Sequence, residues 1–215
     1  MAEPFRSRVS LVVLMVWVGS IVGAQPLLAE QSNSPSSVHR AAAVGEFLGG
    51  AAVGLAAHEA GHLFFDVVFD ADPGIKKVDF HGIPFFAITH RGDLSPKREL
   101  IVSSAGFWVQ HAGSEWLLTK RPNLKREHAP FMKGMLAFNV LASGAYAGAA
   151  FAQTGPAERD TRGIAVSAGI PEPWVGAMIL APAVLDSWRY FDPEAKWAVW
   201  ASRVAKVGFV LLVFK

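Results

Sequence analysis

Apolar residues come in long blocks separated by short polar connections. Five blocks follow an N-terminal segment, at about 41–69, 100–118, 131–152, 173–191 and 197–214. The first is long enough to cross a hydrocarbon layer of ~30 Å with some tilt. It carries Gly45, Gly49, Gly50 and Gly54, a spacing that lets a second helix approach closely. Pro182 interrupts the fourth block, and Lys196 and Lys215 flank the fifth as interfacial anchors. The pattern predicts an all-α membrane protein, a polytopic bundle of about four to five transmembrane helices.

Two stretches break this rhythm. Residues 75–91, with the run VDFHGIPFFAITH, are rich in β-branched and aromatic residues and carry His81-Gly82 near a turn. They predict a small β-hairpin between the first two helices, with Pro84 restricting it to an edge or bulge. Residues 1–29 have Arg6 and Arg8, an apolar run from Val9 to Ala24, and small residues at Ala24 and Ala29. That is the pattern of a signal peptide, or of an uncleaved N-terminal anchor. Residues 30–40 read as a polar linker, leaving 41–215 as the integral membrane domain.

Composition agrees. Charged residues are 18% of the chain and hydrophobic ones 52%, against roughly 25% charged in average soluble domains. Disorder is excluded, because it requires low hydrophobicity and high net charge. A formal charge of +2 without a basic stripe argues against nucleic acid as a partner and leaves the lipid bilayer. With no cysteine, thiolate metal sites and cysteine nucleophiles are excluded. Two basic regions, residues 76–98 and 120–126, both ask for the cytoplasmic side. A simple crossing by 100–118 cannot satisfy both.

Chemistry concentrates in the first block. His58, Glu59 and His62 form H-E-x-x-H; on a helix, positions four apart share a face, so both imidazoles can bind one metal ion. Glu59, beside a ligand, can act as general base on a metal-bound water. Neutral imidazoles suit zinc, which lowers the pKa of its water to about 7. Ionisable groups in an oily helix are costly and mark function.

A catalytic zinc needs a third protein donor. Asp186, just past Pro182 in an apolar stretch, leads; its alternative role is pairing with Arg189. His111 and Glu115, spaced i, i+4, compete with it. Asp66, one turn after His62, reads first as a partner that orients an imidazole and otherwise as a further alternative metal ligand. His81 and His90 read as exposed histidines of the hairpin. Ser143-Gly144 has no histidine after it, which sets a serine nucleophile aside.

The chain resembles the site-2 protease family, the zinc metalloproteases that cut within membranes. Its His58-Glu59-Ala60-Gly61-His62 matches that family's H-E-x-x-H. Ala105-Gly106-Phe107-Trp108-Val109-Gln110 is similar to A-G-P-x-x-N, with Phe107 for the proline and Gln110 for the asparagine. Pro182-Ala183-Val184-Leu185-Asp186-Ser187 is similar to P-x-x-x-L-D-G, one residue shorter and with Ser187 for the glycine. The resemblance implies a divergent member, with zinc on His58, His62 and Asp186 and Glu59 as catalytic base. It further implies a hairpin that pairs with unwound substrate by strand addition. Gln110 then takes a substrate-binding role, hydrogen-bonding substrate backbone or the developing oxyanion. The expectation is a zinc metalloendopeptidase of a bacterial-type inner membrane acting on membrane-protein or peptide substrates. The alternatives are a non-proteolytic membrane protein with a structural metal site and a metal-free scaffold.

Overall fold

The computed structural model describes residues 8–11, 35–80, 83–90 and 93–214. The leader expected over residues 1–29 lies outside them except for a short strand, β1 (Arg8–Leu11). The six α-helices among the described residues are α1 (Pro35–Val68), α2 (Pro96–Lys120), α3 (Pro130–Ala152), α4 (Asp160–Ala168), α5 (Glu172–Phe191) and α6 (Lys196–Leu211). Each of the five apolar blocks is a helix. The expected linker is already helical from Pro35, and α4 lies in a connection for which no helix was expected.

The helix ends follow from local chemistry. The Ser95 hydroxyl caps α2 by accepting from the Arg98 N–H, with Pro96 in the first turn. Gln153 at φ 52° ends α3, and Gly169 at φ 65° ends α4, both left-handed caps.

The expected hairpin is present. Strands β2 (Gly74–Phe80) and β3 (Ile83–His90) pair antiparallel with Phe80 opposite Ile83. β1 adds to the other side of β3, giving the order β1-β3-β2.

Side-chain contacts fix the helix directions. Gly50 lies against Phe131 and Met135 while Gly54 lies against Phe138, so α1 and α3 run parallel. Gln110 bonds to Ser143 and Asn139 bonds to Ser114, so α2 runs antiparallel to α3 beside it. Of the glycines expected to allow close approach, Gly50 and Gly54 do so. A Cβ at Gly50 would strike the Phe131 carbonyl, and one at Gly134 the Phe47 carbonyl, whereas Gly45 faces open space.

α1, with 34 residues, is about 51 Å long. It and α3 are long and apolar enough to cross a membrane, and the pair α4 and α5, bent by 120°, makes a third candidate if counted as one span. By length and hydropathy the four to five expected crossings thus become two or three. α2 falls short because it carries Glu99, Gln110, His111 and Glu115, and α6 is only 16 residues long. The basic regions 76–98 and 120–126 flank opposite ends of α2, so they lie at opposite ends of the bundle.

The main core gathers Leu100 and Phe107 of α2, Tyr146 of α3, Ile164 of α4, Val175 and Ile179 of α5 and Phe209 of α6. A smaller cluster of Ala51, Leu55, Phe138 and Ala142 seals α1 to α3. The first ties α2 to α3, α4, α5 and α6, and the second ties the middle of α1 to α3.

Candidate metal centre

His58 and His62 sit on the buried face of α1, each 1% exposed. Their Nδ1 atoms are both committed. His58 Nδ1 is 2.9 Å from Gln110 Oε1. The Gln110 amide cannot be reversed, because its nitrogen already donates to the Asn139 carbonyl at 2.5 Å and the Ser143 hydroxyl at 2.7 Å. His58 must therefore carry its proton on Nδ1. His62 Nδ1 is 2.7 Å from the Val102 carbonyl, which can only accept, so it too is protonated there.

Both Nε2 lone pairs are then left facing one another, 3.2 Å apart. Asp160, at the first position of α4 and fully buried, sets one carboxylate oxygen 3.4 Å from each of them. The two Nε2 atoms and one Asp160 oxygen thus converge at 3.2–3.4 Å, hydrogen-bonded to one another when an imidazole carries a second proton and a set of three donors for a cation when both imidazoles are neutral. Donors bonded at ~2.0–2.1 Å to a tetrahedral ion are roughly 3.3–3.4 Å apart, which matches this triangle. Anchoring of Nδ1 by a carbonyl or amide is the usual outer support of a metal-binding imidazole.

α2 carries no side chain at Gly106, where it faces the two imidazoles. A Cβ there would stand 2.5 Å from His62 Nε2 and 2.6 Å from His58 Nε2. Gly61 lets α2 approach, since a Cβ on it would be 2.7 Å from the Ala105 carbonyl oxygen.

Glu59 completes the group. His58, Glu59 and His62 each offer a donor atom within 4.8 Å of the others, and Glu59 Oε1 is 3.9 Å from His58 Nε2. Neither Glu59 oxygen has a hydrogen-bond partner. Its side chain is 16% exposed, against 2% for His58, while both of its carboxylate oxygens are buried.

The remaining expected site residues lie elsewhere. Asp186 is not beside the imidazoles. Its Oδ1 accepts from Ser202 at 2.6 Å, Lys206 at 2.8 Å and Arg189 at 3.3 Å, the pairing alternative extended to α6. Glu115 joins the same network through Arg189, Arg203 and Lys206. His111 is buried edge-on against Phe209 of α6. Gln110, expected to bind substrate, accepts from His58 and is 2% exposed. Asp66 faces His90. His90, expected to be exposed, is 1% exposed; His81 lies outside the described residues. Ser143 gives its hydroxyl to the Asn139 carbonyl and receives from Gln110.

Sequence reasoning missed Asp160. Its one signal was the pairing of an acid at a helix start with Gly169 just past the end, spanning nine residues that looked like loop.

No protein-family model matches the chain, and neither the curated proteins nor the solved structures give a match.

Proposed function

We propose that the chain is a zinc-dependent peptidase of the membrane, built on the site-2 protease plan, with Asp160 in place of Asp186 as third ligand beside His58 and His62. The carrying observation is the triangle of two imidazole Nε2 atoms and a carboxylate oxygen, bordered by Glu59, whose carboxylate makes no hydrogen bond. Two neutral imidazoles and one carboxylate suit zinc and leave a fourth position for water. Bound zinc supplies Lewis acidity and a water acidic enough to be deprotonated near neutral pH.

The protein's own groups do the rest. Gln110 and Val102 fix both imidazoles in the Nδ1–H form, keeping Nε2 available. Glu59 takes a proton from the attacking water and delivers it to the leaving amine. Phe107, edge-on to His58 at 5.2 Å between centroids, and Tyr146 wall off the inner side. A substrate helix hides its peptide bonds in its own hydrogen bonds, so it must unwind locally. β2 is the outer strand of the sheet and offers an edge on which an extended segment can pair.

The two long apolar helices support an integral membrane location, here read as a bacterial-type inner membrane, with bilayer lipid and membrane-protein or peptide substrates as partners. The free carboxylate of Glu59 favours hydrolysis over a structural metal site, which has no use for a base. The test is cleavage of reporter transmembrane peptides in bicelles by zinc-loaded protein. Glu59→Gln is expected to retain zinc and lose cleavage; cleavage that survives in Glu59→Gln overturns the reading.

A further inference from the structure

One turn beyond His62, a second buried constellation joins three residues that the peptidase reading does not use. Asp66 lies near the end of α1, His90 ends β3, and Glu99 lies in the first turn of α2. Their exposures are 0%, 1% and 5%. His90 Nε2 is 2.9 Å from Glu99 Oε2, and Ser103 supports Glu99 Oε1 at 3.3 Å. The opposite nitrogen, His90 Nδ1, stands 3.4 Å from Asp66 Oδ1 and makes no hydrogen bond. Neither carboxylate oxygen of Asp66 makes one either.

We propose that Asp66 and His90 Nδ1 form a second binding site for a divalent transition-metal ion, completed by water, with Glu99 as the carboxylate that orients His90. The distance repeats that of the first centre, an imidazole nitrogen and a carboxylate oxygen 3.4 Å apart, the separation of two donors on one ion, and here the pair makes no hydrogen bond. The Glu99–His90 bond supplies the carboxylate–histidine support found behind metal-bound imidazoles.

Charge balance points the same way. Burying an ionised carboxylate without hydrogen bonds or a counter-charge is very costly. Among the described residues no lysine or arginine pairs with Asp66 or Glu99. Counted over the described residues, an imidazolium between two ionised acids leaves one negative charge over. A divalent ion with neutral His90 leaves none. One nitrogen and one carboxylate suit zinc or manganese better than a purely oxygen-seeking ion.

The experiment measures zinc bound per chain. Full-length protein in detergent is stripped with chelator, saturated with zinc, freed of excess and analysed by mass spectrometry of the metal. Two ions per chain are expected, falling to one in Asp66→Asn, one in His90→Gln, one in His58→Ala and none in the Asp66→Asn/His58→Ala pair. A chain that saturates at one ion which Asp66→Asn retains overturns the proposal, as does retention of two ions in Asp66→Asn. If a single ion disappears with Asp66→Asn yet survives His58→Ala, this site stands and the peptidase centre fails. Should Asp66→Asn and His90→Gln lose their helical circular dichroism, His58→Ala alone decides: one bound ion supports the second site and none removes it.

Discussion

Gln110 on α2 and His58 on α1 meet at 2.9 Å, amide oxygen to Nδ1, and that contact decides which nitrogen of His58 is free. Because Asn139 and Ser143 hold the Gln110 amide in one orientation, the tautomer is set by helices that carry no ligand themselves. Gln110→Leu is therefore expected to weaken zinc at the first centre by about 10–100-fold, the usual cost of removing such a support. Gln110→Glu, which keeps an acceptor, should bind closer to the parent. Competition against a chromophoric chelator reads both.

The proposed function makes Asp160 a ligand and Asp186 a structural acid. Asp160→Asn is expected to lower zinc content by one ion per chain with the helical signal intact. Asp186→Asn should leave the zinc content of the folded protein unchanged. It withdraws the acceptor shared by Lys206 and Ser202, and breaking a buried ion pair costs about 3–5 kcal/mol, read as a lower melting temperature. The reverse pattern would return Asp186 to the site.

Gly106→Ala tests the space reserved for the ion. The added methyl would occupy the point 2.5–2.6 Å from both Nε2 atoms, so the first-centre ion should be lost in a protein that still folds. Gly144→Ala, facing open space on α3, should retain full zinc content.

Gly134→Ala tests the packing of α3 on α1. Its methyl meets the Phe47 carbonyl and comes within 3.1 Å of the Ala51 nitrogen, both backbone atoms that cannot rotate away. Overpacking of this kind costs about 1–3 kcal/mol, and thermal unfolding followed by circular dichroism should show a lower midpoint. Gly45→Ala, with nothing nearby, should not lower it.

The helices were legible because each apolar block exceeds the length of an ordinary buried strand and ends at proline, glycine or charge. The hairpin was legible from its β-branched and aromatic run. His58, Glu59 and His62 could be grouped because one helical turn brings them together without any tertiary knowledge. Asp160 could not: 98 positions beyond His62 in the sequence, it reaches the imidazoles only because α4 folds back onto α2. Asp186 misled because its proline and apolar setting imitate a ligand's environment. The cations that claim it, Arg189 and Lys206, come together only when α5 and α6 pack antiparallel. His90 was read as exposed because a strand pattern does not say which of its ends docks against a helix.

The most direct measurement is an anomalous difference map, collected at the zinc edge, from crystals of the zinc-loaded protein. A peak ~2.0–2.2 Å from His58 Nε2, His62 Nε2 and an Asp160 oxygen together is the expected result. An empty triangle, or a peak whose carboxylate neighbour is Asp186, would contradict the account.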